Sequence, residues 1–300
     1  MSKITVLGAG SWGTALATIF ANANHEVRLW SRNMNMEPCV KGSEIIINAV
    51  PSHGVRETAE KLSPYYVENQ IIVNVCKGLE EETLMLLANV VKNEIKNAEI
   101  AVMSGPSHAE EVLQNLPTTN VIASTNPDIL KKLQKILTTP HFRLYASSDI
   151  IGVQIAGSLK NIIAILAGVS DGLGFGDNTR AALMTRGIAE ISRLGVAIGA
   201  QEKTFAGLAG IGDVIATCTS VHSRNRRAGI MLAQGKSLKQ ALDEIKMVVE
   251  GVRTTTAAYA LKNKHQIDAP LISESHAILF KGKNPQKAVE DLMTRKLKWE

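Results

Sequence analysis

Lys160 and Asn161 interrupt an otherwise apolar run, Ala156-Gly-Ser-Leu-Lys-Asn-Ile-Ile-Ala-Ile165. A lysine in such surroundings is seldom fully buried without a partner. Facing a cleft, its desolvated ammonium has a lowered pKa and suits a general acid; the alternative is a lysine that snorkels from a helix packed on its other face. Asp213 sits in a second apolar stretch, Gly207-Leu-Ala-Gly-Ile-Gly-Asp-Val-Ile-Ala-Thr217, where a carboxylate needs a partner. Lys160 is the obvious candidate, with a helix N-cap as the alternative role for Asp213. Ser223-Arg-Asn-Arg-Arg227 collects donors at a helix start. An arginine fork and an amide there suit a phosphate dianion, although the bare motif also fits a solvated face.

A different chemistry is written at the N-terminus, where Lys3-Ile-Thr-Val-Leu7 leads into Gly8-x-Gly10-x-x-Gly13 and then a helix with an apolar face. Strand, glycines and helix in that order form a dinucleotide-binding turn: Gly8 turns tightly, Gly10 admits a pyrophosphate and Gly13 lets helix and strand pack closely. The second strand ends in Ser31-Arg32-Asn33 without an acidic residue, so Arg32 would attract a ribose 2′-phosphate; an exposed arginine at a strand end is the alternative. Further strand ends carry Asn48-Ala-Val-Pro-Ser52, Asn74-Val-Cys-Lys-Gly78 and Gly105-Pro-Ser-His-Ala109. Lys77 can reach both a nicotinamide and an anionic substrate, Ser107 can cap the next helix, and His108 is an acid/base candidate or a solvated histidine. Val248-Val-Glu-Gly-Val-Arg-Thr254 breaks a helical pattern at its glycine and could lie over the cofactor.

These residues need elements to hold them. Up to about residue 147, short β-rich runs (4–7, 26–30, 44–50, 70–74, 99–103, 120–123, 142–145) alternate with helical patterns (11–23, 53–62, 82–95, 107–114, 127–137), as in a parallel α/β sheet. From 149 to 299 the pattern is helix after helix, with Gly-rich turns at 172–176, 207–212 and 282–284. The boundary falls near 148, giving a dinucleotide-binding domain at 1–148 and an all-helical substrate and catalytic domain at 149–300. One interval resists this scheme. Only 11 residues, 33–43, separate the second strand from the third, and Pro38 would interrupt a helix there. Either an extended loop crosses, or a segment is missing.

The 300 residues can bury a large core, and 45% hydrophobic with 20% charged content is that of a soluble globular protein. Lys and Arg number 33 against 28 Asp and Glu, and the excess is scattered, which suits anionic metabolites better than nucleic acid. Cys39, Cys76 and Cys218 lack metal-ligand spacing and point to a reducing compartment. No signal-peptide order precedes the first strand, so the expected location is the cytoplasm. The 162–169 stretch reads as too short and too punctuated to span a bilayer, so no stable membrane insertion is expected.

Taken together, Gly8-Ala-Gly-Ser-Trp-Gly-Thr-Ala-Leu16, Ala49-Val-Pro51, Lys77-Gly-Leu-Glu80, Ser104-Gly-Pro-Ser107, Leu159-Lys-Asn-Ile-Ile-Ala164, Gly212-Asp213, Ser223-Arg-Asn-Arg-Arg227 and Val249-Glu-Gly251 resemble the bacterial NAD(P)-dependent sn-glycerol-3-phosphate dehydrogenases, in the same order along nearly the whole chain. The resemblance implies a Rossmann-like, mostly parallel α/β sheet domain followed by an all-α domain of the 6-phosphogluconate dehydrogenase C-terminal-like kind. It implies reversible reduction of dihydroxyacetone phosphate to sn-glycerol 3-phosphate for glycerophospholipid synthesis, with NAD or NADP as cofactor, no metal, and room for a homodimer. Cofactor contacts would come from Gly8, Gly10, Ser11, Trp12, Gly13, Arg32, Lys77, Ala109, Arg224, Val248 and Glu250. Substrate contacts would come from Lys77, Gly105, Ser107, Lys160, Asp213, Ser223, Arg224 and Asn225, with Lys160 catalytic, Asp213 holding it, and Lys77 and Asn161 orienting the reacting oxygen. Similar proteins carry a longer tract at 33–43, including a helix, a further edge strand and an Asn-x-x-Tyr-Leu-Pro-like segment near the cofactor. Its loss would leave strand 26–30 at the sheet edge and the adenosine side open. The competing readings are another two-domain hydroxyacid or sugar-nucleotide dehydrogenase, and a non-catalytic NAD(P)-binding protein.

Overall fold

The structure, a computed structural model, describes residues 1–297 and 299. Seven strands form one sheet: β1 (Lys3–Leu7), β2 (Glu26–Trp30), β3 (Ile45–Asn48), β4 (Ile71–Asn74), β5 (Glu99–Ser104), β6 (Thr118–Ala123) and β7 (Phe142–Ser147). Their order is β2-β1-β3-β4-β5-β6-β7, and every neighbouring pair is parallel except β5 with β6. Ile45, Ile46 and Ile47 show why β3 is central. The first and third pack with Phe20, Val73 and Phe142 on one face, while Ile46 packs with Leu62, Val91 and Val102 on the other. A strand buried on both faces needs apolar side chains at successive positions.

Between the strands lie α1 (Ser11–Asn22), α2 (Glu37–Val40), α3 (Val55–Leu62), α4 (Leu87–Glu94), α5 (Ala109–Leu113) and α6 (Pro127–Leu137). The helix expected over 82–95 starts only at Leu87, because the residues before it turn and bridge Leu86 to Leu79. The unusual crossing is resolved by α2. Residues 31–44 pass from β2, at the sheet edge, over β1 to β3 with this single helical turn. Pro38 lies in its first turn, where the missing N–H costs nothing, so it does not break the crossing. Met36, Cys39 and Val40 bury against Leu7 and Trp30, and the Thr5 hydroxyl donates to the Cys39 carbonyl at 2.5 Å. Arg28 on β2 donates to the carbonyls of Pro38 (3.0 Å) and Lys41 (2.8 Å), which ties the crossing to the edge strand.

After Ser147 the chain is helical: α7 (Ile150–Gly172), α8 (Asp177–Ala197), α9 (Asp213–Thr219), α10 (Arg224–Ala233), α11 (Leu238–Ile245), α12 (Glu250–Lys264), α13 (Pro270–Phe280) and α14 (Pro285–Met293). Asp149 caps α7 by accepting from Gly152 N–H at 2.8 Å. The glycine-dense 207–212 segment is not a turn; Leu208–Gly212 forms a short π-helix that runs into α9. Nor does Gly251 interrupt a helix, since it is the second residue of α12.

At 23 residues and mean hydropathy 1.8, α7 is long and apolar enough to cross a membrane, contrary to the shorter stretch read from sequence. Here it is the buried central helix, with Ile155, Leu159, Ile162 and Ile163 packed against Ile191, Leu194, Phe205, Leu261 and Ile272. Against α10 it packs backbone to backbone. A Cβ on Gly168 would lie 1.9 Å from the Arg226 carbonyl oxygen, and one on Gly229 would lie 1.9 Å from that of Ile165.

Gly229→Ala should therefore push α10 off α7 and lower stability by about 1–3 kcal/mol. Gly176→Ala, where an added Cβ meets nothing within 4 Å, is the matched control. Urea unfolding of both variants checks this: equal midpoints would contradict the close approach.

Candidate active site

The parallel strands β1, β3, β4 and β5 end at one edge of the sheet, and their loops touch in sequence. Gly8, with φ +112°, could not carry a side chain because a Cβ would lie 2.8 Å from the Ala49 backbone. Gly13 is equally constrained, since its Cβ would lie 1.9 Å from the Gly8 carbonyl oxygen. The helix N-terminus is thereby pressed onto the strand end. Gly10 is the N-cap of α1, provides no side-chain cap, and has open space where a Cβ would project. The first-turn N–H groups at Ser11 and Trp12 thus face an uncrowded position, which fits the pyrophosphate of a dinucleotide. The Trp12 ring packs 6.4 Å from Phe142, and Arg32 is exposed at the end of β2. Ala109, the first residue of α5, is buried in the core cluster that includes Ala15 and Leu16 of α1.

Lys77, just after β4, donates to the Gly105 carbonyl after β5 at 3.3 Å. Ser107 donates to the same carbonyl at 2.9 Å; it does not cap α5, whose N-cap is His108. His108 leans the other way, its Nε2 donating to the Ala216 carbonyl of α9 at 3.3 Å, and burial lowers its pKa.

The helical half meets this edge at Asp213. Lys160 Nζ donates to Asp213 Oδ1 and, at 2.7 Å, to Thr217 Oγ1, while Lys77 Nζ donates to Asp213 Oδ2 at 2.8 Å. Asp213 does not cap α9; its carboxylate is spent between two ammoniums. The Asp213 side chain is 1% exposed and that of Lys160 7%, whereas that of Lys77 is 21% exposed, so the array opens on the Lys77 side. Burial pulls the Lys160 ammonium well below the ordinary lysine range, opposed by Asp213 and helped by Lys77. Burial works against ionisation of Asp213 as well, but Lys160 and Lys77 outweigh it and hold the carboxyl below its usual range. Two cations on one anion leave a net positive charge at the cleft, suited to charge building on a substrate oxygen. Thr217 had no role in the sequence reading, although its spacing of four from Asp213 puts both on one helix face.

Ser223 is the N-cap of α10 and accepts from Arg226 N–H at 3.2 Å. The arginine cluster divides on folding: Arg226 pairs with Asp171 at 2.6 Å, Arg227 is exposed, and among the described residues the half-buried Arg224 guanidinium has no hydrogen bond or ion pair. Asn225 is largely committed, donating to Asn161 Oδ1 and accepting from Gly251 N–H, both at 2.9 Å. Asn161 thus joins α7 to α10, and Asn225 in turn joins α10 to α12. Val248 is half-buried ahead of α12, and Glu250 accepts from Ser52 N–H (3.1 Å) and Ser52 Oγ (2.6 Å), pinning α12 to the loop after β3. Burial pushes the Cys76 thiol up and that of Cys218 to about 12, so neither is a thiolate at neutral pH. No group of three or more His, Cys, Asp or Glu that could hold a metal occurs among the described residues.

Models of the NAD-dependent glycerol-3-phosphate dehydrogenase family match most of the chain. The N-terminal model covers residues 3–37 and 32–130, in two pieces meeting at the short crossing, and the C-terminal model covers 149–290. A glycerol-3-phosphate dehydrogenase [NAD(P)+] of Thermoanaerobacter sp. (strain X514) is 50% identical over 326 positions, spanning 99% of this chain and 98% of the relative. The like-named protein of Desulfitobacterium hafniense (strain Y51) is 49% identical over 328 positions, spanning 100% and 93%. Both alignments exceed the 300 residues of this chain, so the relatives carry residues it lacks. The crystal structure of glycerol-3-phosphate dehydrogenase from Coxiella burnetii superposes with a TM-score of 0.94 at 39% identity, covering 98% of this chain and 99% of that one.

Asp213→Asn should cost about 3–5 kcal/mol by leaving two ammoniums without their counter-charge. The deficit should shrink from pH 6 to pH 9. Asp213 raises the Lys160 pKa, so without it Lys160 sheds its proton in the folded state at a lower pH than in the wild type, while unfolded lysine keeps its own, and the variant regains stability before the wild type does. Urea unfolding at the two pH values checks the sign; a constant deficit would exclude Lys160 as the responsible group.

Proposed function

Because this chain belongs to the NAD-dependent glycerol-3-phosphate dehydrogenase family, we propose that its Lys160–Asp213–Lys77 array handles the proton and the developing charge of that reaction. The protein is an NAD(P)-dependent oxidoreductase that interconverts dihydroxyacetone phosphate and sn-glycerol 3-phosphate, the backbone precursor of glycerophospholipids. A nicotinamide dinucleotide held at Gly8–Gly13 supplies the hydride for reduction and accepts it in oxidation. In this reading residues 1–148 hold the cofactor and 149–300 bind substrate and carry the acid.

The observation that carries the reading is the buried Lys160 ammonium, fixed by Asp213 Oδ1 and Thr217 Oγ1. As the C2 carbonyl of dihydroxyacetone phosphate is reduced, negative charge grows on its oxygen. Lys160 donates the proton that turns this oxygen into the C2 hydroxyl, and takes it back in the reverse direction. Lys77, on the more open side of Asp213, steadies the same oxygen together with the Asn161 amide. Arg224, which has no hydrogen bond or ion pair among the described residues, and the α10 N-terminus at Ser223 and Asn225 take the phosphate. Arg32, where an acidic residue would favour NAD, supports acceptance of NADP. The three unpaired cysteines support a reducing, cytoplasmic setting.

Lys160→Ala leaves Asp213 paired with Lys77, so the fold should survive while kcat for dihydroxyacetone phosphate falls by about 10²–10⁴. NADH affinity, read by fluorescence titration, should be nearly unchanged. In the wild type, reduction should slow as pH rises through the lowered Lys160 pKa, and oxidation of sn-glycerol 3-phosphate should speed up over the same range. Absorbance at 340 nm follows both, and undiminished turnover of Lys160→Ala would refute the assignment.

A further inference from the structure

Asp171, in the last turn of α7, lies outside the array at Asp213 yet is among the most heavily engaged carboxylates in the molecule. Its side chain is only 9% exposed. Oδ2 accepts from Arg226 Nε at 2.6 Å, and Oδ1 accepts from Arg180 Nε at 3.1 Å and Nη2 at 2.7 Å. The arginines come from the first turns of two other helices, α10 and α8. One carboxylate therefore fastens the C-terminal end of α7 to both. Asp177 also meets Arg180, at 2.8 Å, but its side chain is 95% exposed.

This contact decides how the Ser223–Arg227 cluster is used. Three guanidiniums lie within four residues and would repel one another if all faced one anion. Asp171 takes up Arg226, whose backbone N–H also closes the Ser223 cap. Arg224, two residues earlier, has no hydrogen bond or ion pair among the described residues. The close glycine contacts fix how near α10 lies to α7, and its first turn is tied down by the Asp171–Arg226 pair on one side and by the bonds of Asn225 to Asn161 and Gly251 on the other.

Resting on the functional reading above, we propose that Asp171 is a positioning residue for the substrate phosphate, turning Arg226 away so that the first turn of α10 presents Arg224 to the anion. Asp171 touches neither substrate nor cofactor; it acts through the orientation of that turn.

The test compares Asp171→Asn, close in shape to the original, with the wild type. KM for dihydroxyacetone phosphate and the inhibition constant of inorganic phosphate should each rise roughly tenfold, as expected when a charge-assisted contact is lost. kcat, NADH affinity, and kcat/KM for unphosphorylated dihydroxyacetone should stay close to wild type. Asp171→Glu should recover part of the phosphate affinity, and Asp177→Asn should change nothing. Should Asp171→Asn not fold, Arg226→Gln removes the same contact from the α10 side and should show the same split. Unchanged phosphate inhibition in the folded variants, or equal losses with the phosphorylated and unphosphorylated ketones, would overturn the proposal. A wild-type protein that binds phosphate but does not reduce dihydroxyacetone phosphate would instead refute the functional reading, and titration of inorganic phosphate into both variants would still decide the role of Asp171.

Discussion

A carboxylate almost without solvent, held between two ammoniums, is the constraint around which this molecule is organised. Asp213 comes from α9, Lys160 from α7 and Lys77 from the loop after β4, so the array exists only while the helices are docked on the sheet edge. Removing these charges from water is costly, and the cost is met only while the Asp213 carboxylate is there to pair with the ammoniums. The docking is reinforced elsewhere: Ser158 of α7 accepts from Gly78 N–H at 2.8 Å, Gln154 accepts from Ala88 N–H at 2.9 Å, and Glu250 grips Ser52. These contacts surround Lys77 and hold it toward the helical half. The same desolvation that makes the array expensive lowers the Lys160 pKa and makes its proton available.

The nucleotide side rests on backbone alone. Gly8 and Gly13 let a strand end, a helix start and the loop after β3 approach more closely than any side chain would allow, while Gly10 leaves the helix start uncovered. Beyond Arg32 the support thins. A single helical turn carries the chain over β1, leaving β2 as the sheet edge, with the crossing loop tied to it through Arg28. Thr5 and Arg28 hold that crossing in place, but they add no strand beyond β2.

Patterns dominated by local preference were legible from the residues. All seven strands, the glycine turn and the change to continuous helix after Ser147 could be read, because hydrophobic period and turn chemistry act over a few neighbours. Pairing Lys160 with Asp213 was also inferable, since two charges in apolar surroundings need each other. Misreadings arose where a residue has two uses and only its neighbours choose between them. Pro38 looked like a helix breaker but occupies the one turn that tolerates it; Gly251 looked like an interruption but lies in the first turn of α12. Ser107 suited a helix cap but bonds backward to Gly105. The antiparallel β5–β6 pairing left no trace in a strand pattern that is the same for either direction.

Residue types and spacing alone determined the chemistry available here: a dinucleotide turn, a lysine and an aspartate in apolar segments, and a group of arginines at a helix start. Tertiary structure decided which of these groups are free to act. It placed Lys77 on the second oxygen of Asp213, brought Thr217 to Lys160, committed Asn225 to Asn161 and Gly251, and gave Arg226 to Asp171 while leaving Arg224 open. The physical reason is that burial and partner choice belong to a surface made by several elements at once. A side chain's type states what it can bond to, but only the packed chain settles which partners reach it and which charge remains unspent.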